Sequence, residues 1–90
     1  MSLKALRREI DEIDEQILRL LTRRAELALR VGQVKKRGGK RVFDPERERT
    51  VLRRMAKANP GPLPARAVED IYRAIVRQHR RLAQSASALR

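Results

Sequence analysis

The sequence predicts an all-α chain of three helices, the first so long that a second copy is needed to cover it. Three observations predict this. Large apolar residues in the first third alternate at three and four positions, the mark of a helix with one narrow buried stripe. Two breaker stretches, RGGKR and NPGPLP, divide the chain into three helix-compatible segments. Nothing alternates with the period of two that a strand requires.

The first helix is expected from Ser2, as N-cap, to about Lys36, where RGGKR interrupts it. Its stripe runs Leu3, Leu6, Ile10, Ile13, Ile17, Leu20, then Leu27, Val31 and Val34. Some 34 residues make a rod of about 50 Å, whereas a compact 90-residue domain has a radius of gyration of about 12 Å. The remaining chain is too short to cover that rod. A seam of this length calls for a partner helix, and a homodimer is expected. Phe43-Asp44-Pro45-Glu46 opens the second helix: aspartate as N-cap, proline at the first helical position, acid in the first turn. That helix covers about 44–58, with Val51, Leu52 and Met55 on its apolar side. The third covers about 64–86, with Val68, Ile71, Tyr72, Ile75, Val76 and Leu82 in its stripe and His79 among them. The tail, about 85–90, is small and polar and is expected to fray. One domain over 1–90 accounts for the whole chain.

Composition removes several functions. There is no cysteine and a single histidine, His79, so thiolate metal sites, imidazole clusters and Ser/His/Asp nucleophile systems cannot be assembled. No metal or cofactor is expected. No apolar run reaches the roughly 18 residues of a membrane span, and the charged start MSLKALRREIDEID is unlike a signal peptide; a cytoplasmic location is expected. The net charge of +12, with 18 arginines among 23 basic residues, predicts an anionic partner. With only Phe43 and Tyr72 as aromatics, single-strand binding by base stacking is disfavoured, although phosphate tracking on a duplex is not.

Within LLTRRAELALRVGQVKK, the alternation between Leu20 and Leu27 lands on Arg24. The sequence leaves three readings of it: a polar residue fixing register, a long side chain reaching the edge of the seam, or part of an anion site. Its neighbours favour the last. Lys35 lies three turns on at nearly the same azimuth, Arg7 borders the stripe beside Leu6, and Arg47 and Glu48 precede Val51 and Leu52 by one turn. Residues 16–43 hold nine basic side chains and one acid, Glu26, so the surplus lacks internal partners. Arg7 and Arg24 are about 25 Å apart on one straight helix. Antiparallel pairing of two first helices carries Arg7 of one copy toward the Arg24–Lys35 segment of the other. Apolar walls lined by guanidinium groups suit a small carboxylate ligand, because arginine holds a carboxylate by two parallel hydrogen bonds.

Three segments, L-R-x-x-I-D-x-I-D at the start, R-x-x-L-A-x-x-V-G-x-x-K from Arg24 to Lys35, and D-P-x-R-E from Asp44 to Glu48, resemble the all-helical chorismate mutases of the AroQ class. The likeness covers nearly the whole chain. FDPERE and NPGPLP look most like versions fused to, or associated with, 3-deoxy-7-phosphoheptulonate synthase. The resemblance implies an intertwined dimer with two shared sites that rearranges chorismate to prephenate. Carried over, Arg24, Arg47 and Arg7 of the partner would hold two carboxylates, Lys35 the ether oxygen and a carboxylate, and Asp44 and Glu48 the ring hydroxyl. The third helix departs from the pattern. His79 stands where the family has serine, and Ala83 where it has a glutamine or glutamate that donates to the ether oxygen. Gln84 comes one residue late, about 100° round the helix, so either it reaches in or that donor is missing. By analogy with an oxyanion donor, a missing one costs about 10²-fold in rate. For His79 two roles stay open, a carboxylate contact or simple packing. Rival functions are lyase action on isochorismate, a regulatory role beside another aromatic-pathway enzyme, and, less favoured, a basic nucleic-acid-binding dimer, which leaves Arg24 in the seam unexplained.

Overall fold

The computed structural model describes residues 2–87 and contains three helices: α1 (Leu3–Arg37), α2 (Pro45–Ala58) and α3 (Ala65–Ser85). Each start follows from a local signal. The Ser2 hydroxyl accepts from the Ala5 amide at 3.0 Å, and Asp44 Oδ1 accepts from the Arg47 amide at 2.9 Å, with Pro45 leading the helix. α1 ends in Lys35, Lys36 and Arg37, cations suited to the negative end of the helix dipole. Gly39 then turns the chain with φ +69°, a conformation that glycine adopts freely. In the NPGPLP turn, Asn59 Oδ1 accepts from the Gly61 amide at 3.0 Å and Asn59 Nδ2 donates to the Leu63 carbonyl at 2.6 Å.

Among the described residues, α3 packs on both other helices, while α1 and α2 do not pack on each other. Every residue from Ser2 to Leu20 is exposed, so only the C-terminal half of α1 is covered by its own chain. That half turns a different face to α3 from the one its large apolar stripe marks. Ala25, Ala28 and Leu29 are half-buried and Gly32 is buried, while Leu27 and Val31 stay about half exposed. A Cβ built on Gly32 would lie 2.9 Å from Ala83 Cα and closer still to the Ala83 carbonyl oxygen, so the two helices meet backbone to backbone there.

The core inside one chain is small: Val51, Val76, Ala83 and Ala86 are its buried apolar residues. The chain extends 55 × 25 × 15 Å with a radius of gyration of 16.2 Å. Its accessible surface is 7414 Å², against about 5,400 Å² for a compact monomer of the same mass. Much of the surplus is the α1 stripe, with Leu3, Ile10, Ile13, Ile17, Leu20 and Val34 all exposed. The expected fraying from residue 85 does not hold at Ala86. Its side chain is buried and its carbonyl accepts from Lys36 Nζ at 2.6 Å. Lys36 also donates to the Gln84 carbonyl, so a lysine on α1 satisfies carbonyls that the end of α3 leaves free. Residues 88–90 of that tail lie outside the described residues. Among the described residues no helix is long and apolar enough to cross a membrane.

Candidate functional site

A cavity of about 300 Å³ lies where the three helices converge. Its apolar walls include Leu27, Ala28 and Val31 from α1, Val42 from the loop, Val51 from α2, and Val76 and Ala83 from α3. The polar lining is Arg24 and Lys35 from α1, Asp44 at the cap of α2, Arg47 and Glu48 in its first turn, and His79 and Arg80 from α3. Four cations thus face two carboxylates, which leaves a surplus of two positive charges with His79 neutral.

The position of Arg24 follows from the two faces of α1. Gly32, on the face against α3, is about 80° round the helix from Arg24. Arg24 therefore sits on the border between the face that meets α3 and the exposed stripe. It is half-buried, and its Nη1 is 2.7 Å from Nδ1 of His79. Burial, and then the Arg24 charge, hold the His79 pKa below its ordinary value of 6.5. A guanidinium has no acceptor, so the bond requires Nδ1 to accept, which makes the ring neutral with its proton on Nε2. Lys35 occupies the same border three turns on and spends one donor on the Val42 carbonyl at 3.2 Å.

On the opposite wall, Glu48 is held by Arg80, whose Nη1 is 3.3 and 3.5 Å from its two carboxylate oxygens. The Arg80 guanidinium also lies 4.3 Å from the centroid of the Phe43 ring, a cation–π arrangement. Arg47 and Asp44 are more exposed at the cavity edge, and Asp44 keeps one oxygen on the helix cap.

Of the residues expected from the sequence, Arg24, Lys35, Asp44, Arg47, Glu48 and His79 come together at this cavity. Arg7 does not: it lies with Leu3, Lys4, Arg8 and Asp11 at the far end of α1. Gln84 does not either, being exposed with its backbone carbonyl bound by Lys36. Ala83 fills the position facing the cavity, and its backbone presses on Gly32 too closely for the helix to turn Gln84 inward. Arg80 was not expected at all. Of the cations of residues 16–43 expected to lack internal partners, Arg23 pairs with the one acid there, Glu26, at 3.6 Å, while Arg24 bonds to a neutral ring.

Fold and cavity together define a class: a small helical protein whose guanidinium and ammonium groups converge on an apolar-walled cavity. The family follows from comparison. The chain belongs to the family described as chorismate mutase type II, whose model matches residues 6–84. It is 45% identical over 78 residues to a bifunctional chorismate mutase/prephenate dehydratase of Aquifex aeolicus, covering 82% of this chain and 22% of that protein. It is 42% identical over 55 residues to a chorismate mutase of Methanocaldococcus jannaschii, covering 61% of this chain and 56% of that one. A solved chorismate mutase structure, form II from Thermus thermophilus, superposes with a TM-score of 0.90 at 30% identity, covering 94% of this chain and 98% of that chain. The chain spans about a fifth of the length of the first curated relatives it matches.

Proposed function

We propose that the cavity binds chorismate and rearranges it to prephenate, within aromatic amino-acid biosynthesis. The observation that carries this reading is the cavity's surplus of two positive charges inside apolar walls, which complements a small dicarboxylate. The chemistry asks for little else. One C–O bond breaks as one C–C bond forms, in a concerted step that needs no nucleophile, metal or general base. The enzyme must hold the substrate in a compact conformer and put positive charge where the ether oxygen gains electron density. In this reading Arg24 and Arg47 clamp carboxylates, Lys35 donates to the ether oxygen and a carboxylate, and Asp44 and Glu48 meet the ring hydroxyl.

A homodimer completes the proposal. The surface excess of about 2,000 Å² has the magnitude that a large, obligate interface removes from each protomer. Because Arg24 borders the exposed stripe of α1, a second copy that covers the stripe also roofs the cavity and brings its own Arg7. We place this unit in the cytoplasm as one domain, working beside another aromatic-pathway enzyme. Relatives that carry prephenate dehydratase on the same chain support such an association in general; the finer proposal of a 3-deoxy-7-phosphoheptulonate synthase is tested by co-purification with each enzyme.

Incubation of the purified protein with chorismate, followed by the loss of its ultraviolet absorbance and by detection of prephenate, tests the main reading. Turnover is expected. Release of pyruvate from isochorismate with no action on chorismate would replace it by the lyase reading. No turnover of either, together with tight DNA binding that falls steeply with salt, would overturn it in favour of a nucleic-acid partner.

A further inference from the structure

Among the described residues, the Arg24–His79 bond is the one cavity contact in which a cation is held by a neutral, titratable group. Arg24 Nη1 to His79 Nδ1 is 2.7 Å, and both side chains line the cavity. We propose that His79 is the positioning residue for Arg24: its neutral ring accepts from the guanidinium and fixes it on the cavity wall, and protonation of the ring releases it.

The argument begins with hydrogen-bond inventory. The guanidinium can only donate, and no carboxylate among the described residues is bonded to it. Without an acceptor, the long side chain is free to leave the border position for the exposed groove. Protonation puts a hydrogen on Nδ1, so donor meets donor and cation meets cation at contact distance. The surroundings favour the neutral ring. The charged groups around the same cavity are Arg24 and Lys35 on α1, Asp44, Arg47 and Glu48 at the start of α2, and Arg80 on α3. Cations outnumber acids, Glu48 is occupied by Arg80 and Asp44 by the cap of α2. Burial and the Arg24 charge lower the His79 pKa from 6.5 accordingly. At pH 7 the ring is neutral and the clamp is set; acidification through the lowered pKa frees it. A bound dicarboxylate opposes that release, so the effect belongs to the free protein and to kcat/KM.

The kinetic arm rests on the chorismate reading, while a spectroscopic arm does not. His79 is the sole histidine, so its ring nitrogens give a single set of ¹⁵N resonances. Above pH 7 they are expected to show the Nε2–H tautomer, with a titration midpoint below 6.5 that moves up in Arg24→Met. An Nδ1–H tautomer, or a midpoint indifferent to Arg24→Met, would overturn the proposal. In the kinetic arm, kcat/KM of the unaltered protein falls on the acid side. His79→Leu loses about 10²-fold, the scale of a misplaced positioning group. His79→Asn, whose amide oxygen accepts but does not titrate, recovers activity to within about tenfold and abolishes the acid limb. A limb that persists in His79→Asn would sink the idea. If the unaltered protein leaves chorismate untouched, the proposed function fails while the ¹⁵N measurement still decides the role of His79.

Discussion

Lys35 is the side chain whose replacement separates chemistry from folding. It is half-buried on the cavity wall, with one donor on the Val42 carbonyl. In the proposed mechanism its remaining donors act where charge develops in the transition state. Lys35→Ala is therefore expected to lower kcat by about 10²–10³-fold, the scale of losing one preorganised oxyanion donor, with helix content by circular dichroism unchanged. Arg24→Ala, which removes a carboxylate clamp, is expected to raise KM as well. Loss of helix content in parallel with activity would instead make both residues structural. Arg24 was legible because it breaks an apolar rhythm, which a lone sequence displays directly, and Lys35 because it returns to nearly the same azimuth three turns on. Arg80 was not. It sits among Arg77 and Arg81 with no acid one turn away, and its partner Glu48 is on another helix, 32 residues back. Only packing reveals that pair. Gln84 was misleading for a geometric reason: a one-residue offset turns a side chain about 100°, and the Gly32–Ala83 backbone contact leaves no slack to absorb it.

At the scale of the elements, the helix limits were readable within about one residue because Ser2, Asp44-Pro45 and the two breaker stretches are chemical stops. The inner face of α1 was not readable in the same way. Patterning by large side chains singles out Leu20, Leu27, Val31 and Val34, whereas the covered face is built from Leu21, Ala25, Ala28, Leu29 and Gly32. Its large side chains, Leu21 and Leu29, stand about two turns apart with Ala25 and Ala28 between them, so no run of large residues marks it. Small residues carry the closer helix approach and the weaker signal. Gly32 is the tightest point, and Gly32→Ala tests it. Helix propensity returns about 1 kcal/mol to alanine, while forcing a Cβ against the Ala83 backbone costs about 2–3 kcal/mol, the upper part of the overpacking range. The net expectation is a loss of about 1–2 kcal/mol, read as a midpoint lower by roughly 4–16 °C for a domain of this size at equal protein concentration. Turnover should fall too, because Ala28 and Val31 share a cavity wall with Ala83. Unchanged midpoint and unchanged turnover would mean that α1 and α3 are not held at this distance in solution.

The molecule as a whole has more apolar surface than one chain can cover, and its expected cation Arg7 lies far from the cavity on the same helix. The proposed antiparallel pairing of two α1 helices would resolve both: it would bury the stripe and deliver Arg7 of each copy to the cavity of the other. Sedimentation equilibrium should then give about twice the chain mass of 10.4 kDa. Mixing tests the shared site more sharply. An Arg7→Ala chain and an Arg24→Ala chain are each expected to be nearly inactive alone, since every site in either homodimer lacks one clamp. After unfolding and refolding together, about half of the dimers are mixed, and each has one site with both arginines intact and one with neither. About one quarter of the wild-type activity should return. A chain that stays monomeric at working concentration, or mixed dimers without any recovered turnover, would show that each cavity works with the arginines of its own chain alone.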